Sequence, residues 1–215
     1  MVANRFEMGN RAIWDEMARV VAELSPEWYL GGGTGISEYL HHRDSEDLDF
    51  IIHAQFDFEA VADKLDGSGL AVTRAEPGYV QGWLDNTKVE MVGTPGIHQL
   101  EAPTLIRGMP VGSLRDLLPT KINAIRNRGR LRDYVDLMVA DSTGAMPIDE
   151  VIQTALLKYD VRTPSALVFE VKRALAYFDD IPEDEIAGFT KAEVSEYWRS
   201  RLPGILLGSS TSERT

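Results

Sequence analysis

Apolar residues recur at near-helical spacing between residues 8 and 24, at Met8, Ile13, Met17, Val20, Val21 and Leu24, and the pattern stops before Ser25-Pro26. It predicts an opening helix. Next, "WYLGG" reads as a short strand ending in glycine, "TGISEYLHHR" as a short helix capped by Thr34, and "EDLDFIIH", rich in β-formers, as a second strand. "FDFEAVADKLDGSG" returns to a helical period and ends at glycines. From 71 to about 111, "AVTRA", "YVQGWL", "KVEMVG" and "TLIRGMPVG" are short strand-like runs separated by Pro-Gly and Asp-Asn turns, which fits an antiparallel or mixed sheet. Helical runs follow at about 113–128 and 130–141, parted at Gly129, and three more lie beyond the linker-like "DSTGAMP". The expected architecture is α/β (α+β): a mixed-sheet core over residues 1–140, a C-terminal helical region over 141–207 and a frayed tail at 208–215.

Composition narrows the class. With 44% hydrophobic and 26% charged residues, the 215-residue chain has the make-up of an ordinary globular protein. It holds no cysteine, which excludes disulfides, thiolate metal sites and a thiol nucleophile, and suits a reducing cytoplasm. The start "MVANRFEMGNRAIWDEM" has no apolar export core, and no run approaches the roughly 18 apolar residues of a membrane span. We therefore expect a soluble cytoplasmic protein with no membrane partner. The net charge of −12 weighs against nucleic acid as a partner, but it is unevenly placed. Residues 115–132 hold six of the 22 basic residues, Arg115, Lys121, Arg126, Arg128, Arg130 and Arg132, against one acid, Asp116. Such an island is a candidate polyanion site.

Two features point to chemistry. A glycine-rich turn between strand and helix, as at Gly31–Gly33, lets backbone amides approach an anion closely. It matches neither the P-loop nor the dinucleotide fingerprint, and a plain tight turn is its bland alternative. In "DLD", Asp47 and Asp49 project from one side of a strand with Cα atoms roughly 6–7 Å apart, while Leu48 and Phe50 face the core. Two like charges so close suit Mg²⁺ or Mn²⁺. A solvated strand edge is the alternative for the acids alone. Together, turn and acids make phosphate-binding amides and a divalent-metal site neighbours at one end of a sheet, as nucleotidyl transfer requires.

"LGGGTGISEYLHHRDSEDLDFII" followed by "KINAIRNRGRLRDYVDL" resembles the AbiEii/AbiGii-type nucleotidyltransferase toxins of type IV toxin–antitoxin systems, including the mycobacterial MenT group. The resemblance covers residues 29–138 and is carried by Gly32-Gly33-Thr34, the strand with Ser45, Asp47 and Asp49, the helical Lys121, and Arg132, Asp133 and Asp136. It implies a polymerase β-like nucleotidyltransferase core. It also implies that Asp47 and Asp49 hold metal, that Gly32, Gly33 and Thr34 hold nucleotide phosphates, and that Lys121 and an aspartate of the last motif complete the site. Of that pair, Asp136 is the expected catalytic group, with Asp133 on the nucleotide or paired to an arginine. Glu90, alternating with Val89 and Met91, is the candidate third metal carboxylate, with an exposed strand glutamate as its alternative. Arg126, Arg128, Arg130 and Arg132 are the candidate RNA contacts.

The activity so implied is Mg²⁺- or Mn²⁺-dependent transfer of a nucleoside monophosphate from an NTP to an RNA hydroxyl, above all the tRNA acceptor end, with growth arrest as outcome and an antitoxin as partner. Three rivals stand beside it: transfer to a small molecule such as an aminoglycoside, transfer to a protein side chain, and a silent nucleotide- or partner-binding relative. A D-x-D glycosyltransferase would leave the glycine turn unexplained.

Overall fold

The computed structural model describes residues 11–205 apart from 26 and 46, with the side chains of Arg11 and Arg128 also excepted. Two compact units divide the chain, residues 1–117 and 118–215, so the expected boundary near 140 falls inside the second unit. The start of the opening helix at 8–10 and the tail at 208–215 lie outside the described residues.

In the first unit, helix α1 (Arg11–Leu24) buries Ile13, Trp14, Met17, Val20 and Val21, the stripe that its spacing predicts. Strand β1 (Tyr29–Leu30) leads into helix α2 (Gly32–Leu40), then β2 (Leu48–Ile52), α3 (Phe58–Gly67), β3 (Ala71–Glu76), β4 (Tyr79–Leu84), β5 (Thr87–Gly93), β6 (Thr104–Ile106) and β7 (Met109–Val111). Asp57 caps α3 by accepting from the amides of Glu59 and Ala60, both at 3.1 Å. The sheet is mixed, in the order β3-β4-β5-β2-β1-β7-β6. β2 runs parallel to β5, and β1 parallel to β7, while the other pairs are antiparallel. Leu48, Phe50, Val89 and Met91 are fully buried and join Trp14, Met17, Leu30 and Leu65 in one core. Because side chains alternate along a strand, this leaves the acidic positions of β2 and β5 on the opposite face.

Helix α4 (Leu114–Arg128) begins in the first unit and continues into the second, whose other elements are α5 (Leu131–Ser142), α6 (Ile148–Lys158), α7 (Pro164–Ala176), the hairpin β8–β9 (Glu185–Ile186, Phe189–Thr190) and α8 (Lys191–Arg201). Gly129 does separate α4 from α5, and it does so by proximity: a Cβ there would stand 2.5 Å from the Tyr134 ring. Trp198 of α8 is fully buried and donates its indole N–H to the Tyr134 carbonyl at 3.3 Å. Among the described residues no helix is long and apolar enough to cross a membrane.

Candidate active site

The site-bearing face of the first unit follows from strand alternation. Asp49 lies between buried Leu48 and Phe50 and is therefore presented on the other face, with Asp47 immediately before the strand. The parallel register sets Asp49 beside Glu90, and Lys88, two residues before Glu90, shares its face. The Glu90 carboxyl is close enough to act on that of Asp49. Lys88 Nζ stands 3.0 Å from Glu90 Oε2 and 3.5 Å from Asp47 Oδ2, and the Tyr79 hydroxyl of β4 donates to Glu90.

Burial, reinforced by the hydrogen bond and charge of Glu90, pushes Asp49 up to about 7. Burial also acts to raise Glu90, but hydrogen bonds from Tyr79, Asp49 and Lys88 outweigh it and hold that carboxyl below its ordinary value. Lys88 is stabilised as a cation: desolvation opposes its charge, and Glu90 and Asp47 more than offset this.

The glycine turn is tied to the same strand. The Gly31 amide donates to the Asp49 carbonyl at 2.7 Å. Gly32 has φ +59°, in the left-handed region, and a Cβ on it would lie 1.9 Å from Asp49 Oδ2. Asp49's carboxyl thus packs directly on the turn, filling the space a side chain would need. At Gly33 a Cβ would meet the Arg43 guanidinium at 2.4 Å and Ser45 Oγ at 3.2 Å, so a cation and a hydroxyl border the turn as well.

One detail corrects the sequence reading. Thr34 does not cap α2: the helix starts two residues earlier, with Gly31 at the cap position and no side-chain cap bond. Thr34 is buried and its hydroxyl donates to the Asp47 carbonyl, fastening the aspartate segment to the first helical turn. Since Gly31 has no side chain, no side-chain cap covers the first turn, Gly32, Gly33 and Thr34, of this nine-residue helix, which carries no acid there.

Replacing Gly32 with alanine should therefore cost roughly 2–3 kcal/mol, combining a left-handed backbone at a non-glycine residue with a displaced Asp49 carboxyl. Thermal unfolding of G32A checks this, and an unchanged melting temperature would contradict the close packing.

For a divalent metal, the donor chemistry is suitable. Asp49 and Glu90, paired in register, carry hard oxygen donors of the kind a divalent ion takes, and Asp47 lies two residues before Asp49. Among the described residues no group of three or more such side chains is gathered as a metal cluster, and Asp47 is instead engaged by Lys88.

The second unit holds the remaining sequence-predicted residues. Lys121 of α4 is buried, with Nζ 2.8 Å from Asp133 Oδ1 and 2.9 Å from Asp136 Oδ2. Its burial acts against the charge, but Asp136 and Asp133 together raise its pKa above the ordinary lysine value. The i, i+3 spacing expected to place both aspartates on one face of α5 does so, and Asp133 also accepts from the Arg130 amide at 3.2 Å. Asp136 has no exposed surface and is paired with Lys121.

The four arginines fare differently. Arg126 donates to Glu170, from Nε at 2.7 Å, and so is locally neutralised; Arg130 is exposed, Arg132 is half-buried, and Arg128's side chain is outside the described set. Arg126 also lines a cavity of about 440 Å³ within this unit, along with Tyr134, Arg173 and Tyr177.

Sequence reasoning missed Lys88, Tyr79 and Arg43. Lys88 carried a signal, since it alternates in phase with Glu90. Tyr79 carried none, because its contact depends on the β4–β5 register.

Residues 16–211 match the family model described as nucleotidyl transferase AbiEii toxin of the type IV toxin–antitoxin system. A comparison with curated protein sequences gives no match. Among solved structures, the nucleotidyltransferase toxin MenT4 of Mycobacterium tuberculosis aligns with a TM-score of 0.55 at 18% identity, covering 87% of this chain and 80% of that one. JHP933 from Helicobacter pylori aligns at 0.51 and 16% identity, with 91% of each chain covered. At such identities the likeness is one of fold, and the family match extends past residue 138 into the C-terminal helices.

Proposed function

The chain belongs to the AbiEii family of nucleotidyltransferase toxins of type IV toxin–antitoxin systems, and we propose that it transfers a nucleoside monophosphate from an NTP to an RNA hydroxyl, the tRNA acceptor end foremost. In this reading it acts in the cytoplasm, arrests growth by disabling translation and is neutralised by a cognate antitoxin. The observation that supports the reading is the packing of Asp49's carboxyl against Gly32 of the glycine turn.

In the reaction the acceptor oxygen bonds to the α-phosphorus, the bond to pyrophosphate breaks and the hydroxyl proton passes to solvent. Asp49, Glu90 and Asp47 would hold Mg²⁺ or Mn²⁺, which when bound neutralises the triphosphate and eases ionisation of the acceptor hydroxyl. The amides of Gly32, Gly33 and Thr34 supply fixed dipoles for phosphate oxygens, and they need no reorganisation to do so. Thr34, bonded to the Asp47 carbonyl, keeps turn and acids in register. Lys121, held charged by Asp136 and Asp133, is assigned to the nucleotide, with the two aspartates as its positioning residues. Exposed Arg130 and half-buried Arg132 support a polyanionic acceptor better than Arg126, which Glu170 occupies.

The test is incubation of the purified protein with total tRNA, Mg²⁺ and each α-labelled NTP in turn. Label at the tRNA 3′ end is the expected result. Label on the protein itself, on an added aminoglycoside or nowhere would overturn the choice of acceptor.

A further inference from the structure

Resting on that reading of the carboxylate site, we propose that Lys88 is an internal counter-ion that occupies the metal's carboxylates until a divalent cation displaces it, and is then released to the nucleotide's triphosphate. Lys88 belongs to none of the motifs that carry the family resemblance. Its ammonium nevertheless bridges two of the three acids assigned to metal, 3.0 Å from Glu90 Oε2 and 3.5 Å from Asp47 Oδ2.

An ammonium and a divalent ion cannot both be bound by the same carboxylate oxygens, because the cations repel and compete for the same lone pairs. Metal entry therefore requires Lys88 to let go. The same groups show how these acids are tolerated in the folded protein: Tyr79 donates to Glu90, and Lys88 lies against both Glu90 and Asp47.

The released side chain has a defined surrounding. Lys88 lies opposite Trp83 on the adjoining strand, so the two share a face, and Trp83 is 41% exposed. The four-carbon stem can lie along the indole while the ammonium swings. The acids it leaves, Glu90 and Asp47, neighbour Asp49, the one whose carboxyl packs on the Gly32 turn, so the freed cation stays on the face where the phosphates would bind. Metal binding is thereby linked to nucleotide binding. The metal works against Lys88 when it binds alone, and part of that work is returned when the triphosphate takes the ammonium.

The linkage gives Lys88→Met effects of opposite sign. Removing the competing cation should tighten Mn²⁺ binding to the nucleotide-free protein roughly tenfold, the scale of one strong charged contact. It should at the same time weaken binding of a non-hydrolysable NTP in saturating Mn²⁺ by a similar factor, whereas K88R restores both. Paramagnetic titration of Mn²⁺ and calorimetry of the NTP analogue read the two constants, with K88Q as the second variant should K88M fold poorly. Tighter metal with weaker nucleotide supports the proposal. Unchanged or weaker Mn²⁺ binding in K88M and K88Q overturns it while leaving the metal site intact, and no Mn²⁺ binding by wild type or variants removes the site reading together with it.

Discussion

Asp49→Asn is expected to abolish nucleotidyl transfer, by roughly 10³-fold or more, equivalent to about 4 kcal/mol of lost transition-state stabilisation, while stabilising the metal-free protein at neutral and higher pH. Both effects have one cause. Asp49 is the buried acid packed on Gly32 and set beside Glu90, so on the proposed reading its charge would serve a bound cation and is a liability without one. Its carboxyl ionises near 7 in the folded chain against a reference value of 3.8. Because the folded value lies above the unfolded one, the native state binds the proton more tightly over that interval. The stability this contributes is fully present below about pH 4 and is lost as pH rises through about 7, at up to about 1.4 kcal/mol per pH unit. The asparagine variant has no such group to ionise. Chemical denaturation in the presence of a chelator should show wild-type stability falling across that window and a flatter profile for D49N. Parallel profiles would mean that the carboxyl is not buried as described.

The largest effect on stability is expected at Lys121. Changing it to methionine keeps the stem's bulk but strips the cation from Asp136, which has no exposed surface, and Asp133, which is 8% exposed. Breaking a buried pair leaves uncompensated charge and costs roughly 3–5 kcal/mol. For a unit of this size that corresponds to a fall in melting temperature of more than about 10 °C. The companion variant K121M/D133N/D136L removes the stranded charges and should recover most of the loss. Transfer activity should not return with the fold, since the proposal assigns the ammonium to the nucleotide. A stable, active triple variant would reduce the cluster to a structural device, and K121M melting like wild type would show that the three groups do not depend on one another.

What the sequence made legible was mainly local. "LDFII" announced its alternation, so the orientation of Asp49 away from Leu48 and Phe50 was readable before any strand pairing was known. The i, i+3 placement of Asp133 and Asp136 was equally local. The partners were not legible. Asp49 meets Glu90 across a parallel pairing of strands separated by β3 and β4 in the chain, and no local pattern states that register. The same holds for Arg126, whose partner Glu170 lies 44 residues away. Thr34 was misread because a threonine ahead of a helical pattern has the chemistry of a cap. The left-handed Gly32 lets the helix start earlier, so the hydroxyl is free to hold Asp47. The two-residue strands at Glu185–Ile186 and Phe189–Thr190 are too short to leave a period in the sequence.

The central claim is that a metal–nucleotide pair binds on the face where the Asp49 carboxyl, beside Glu90, meets the Gly32 turn. Its most direct test is a crystal of the protein with Mn²⁺ and a non-hydrolysable NTP, measured at the manganese absorption edge. The account predicts an anomalous peak ligated by Asp49 and Glu90, with phosphate oxygens on the amides of Gly32 and Gly33. Manganese and triphosphate found elsewhere, with Asp49 and Glu90 ligating neither, would contradict it.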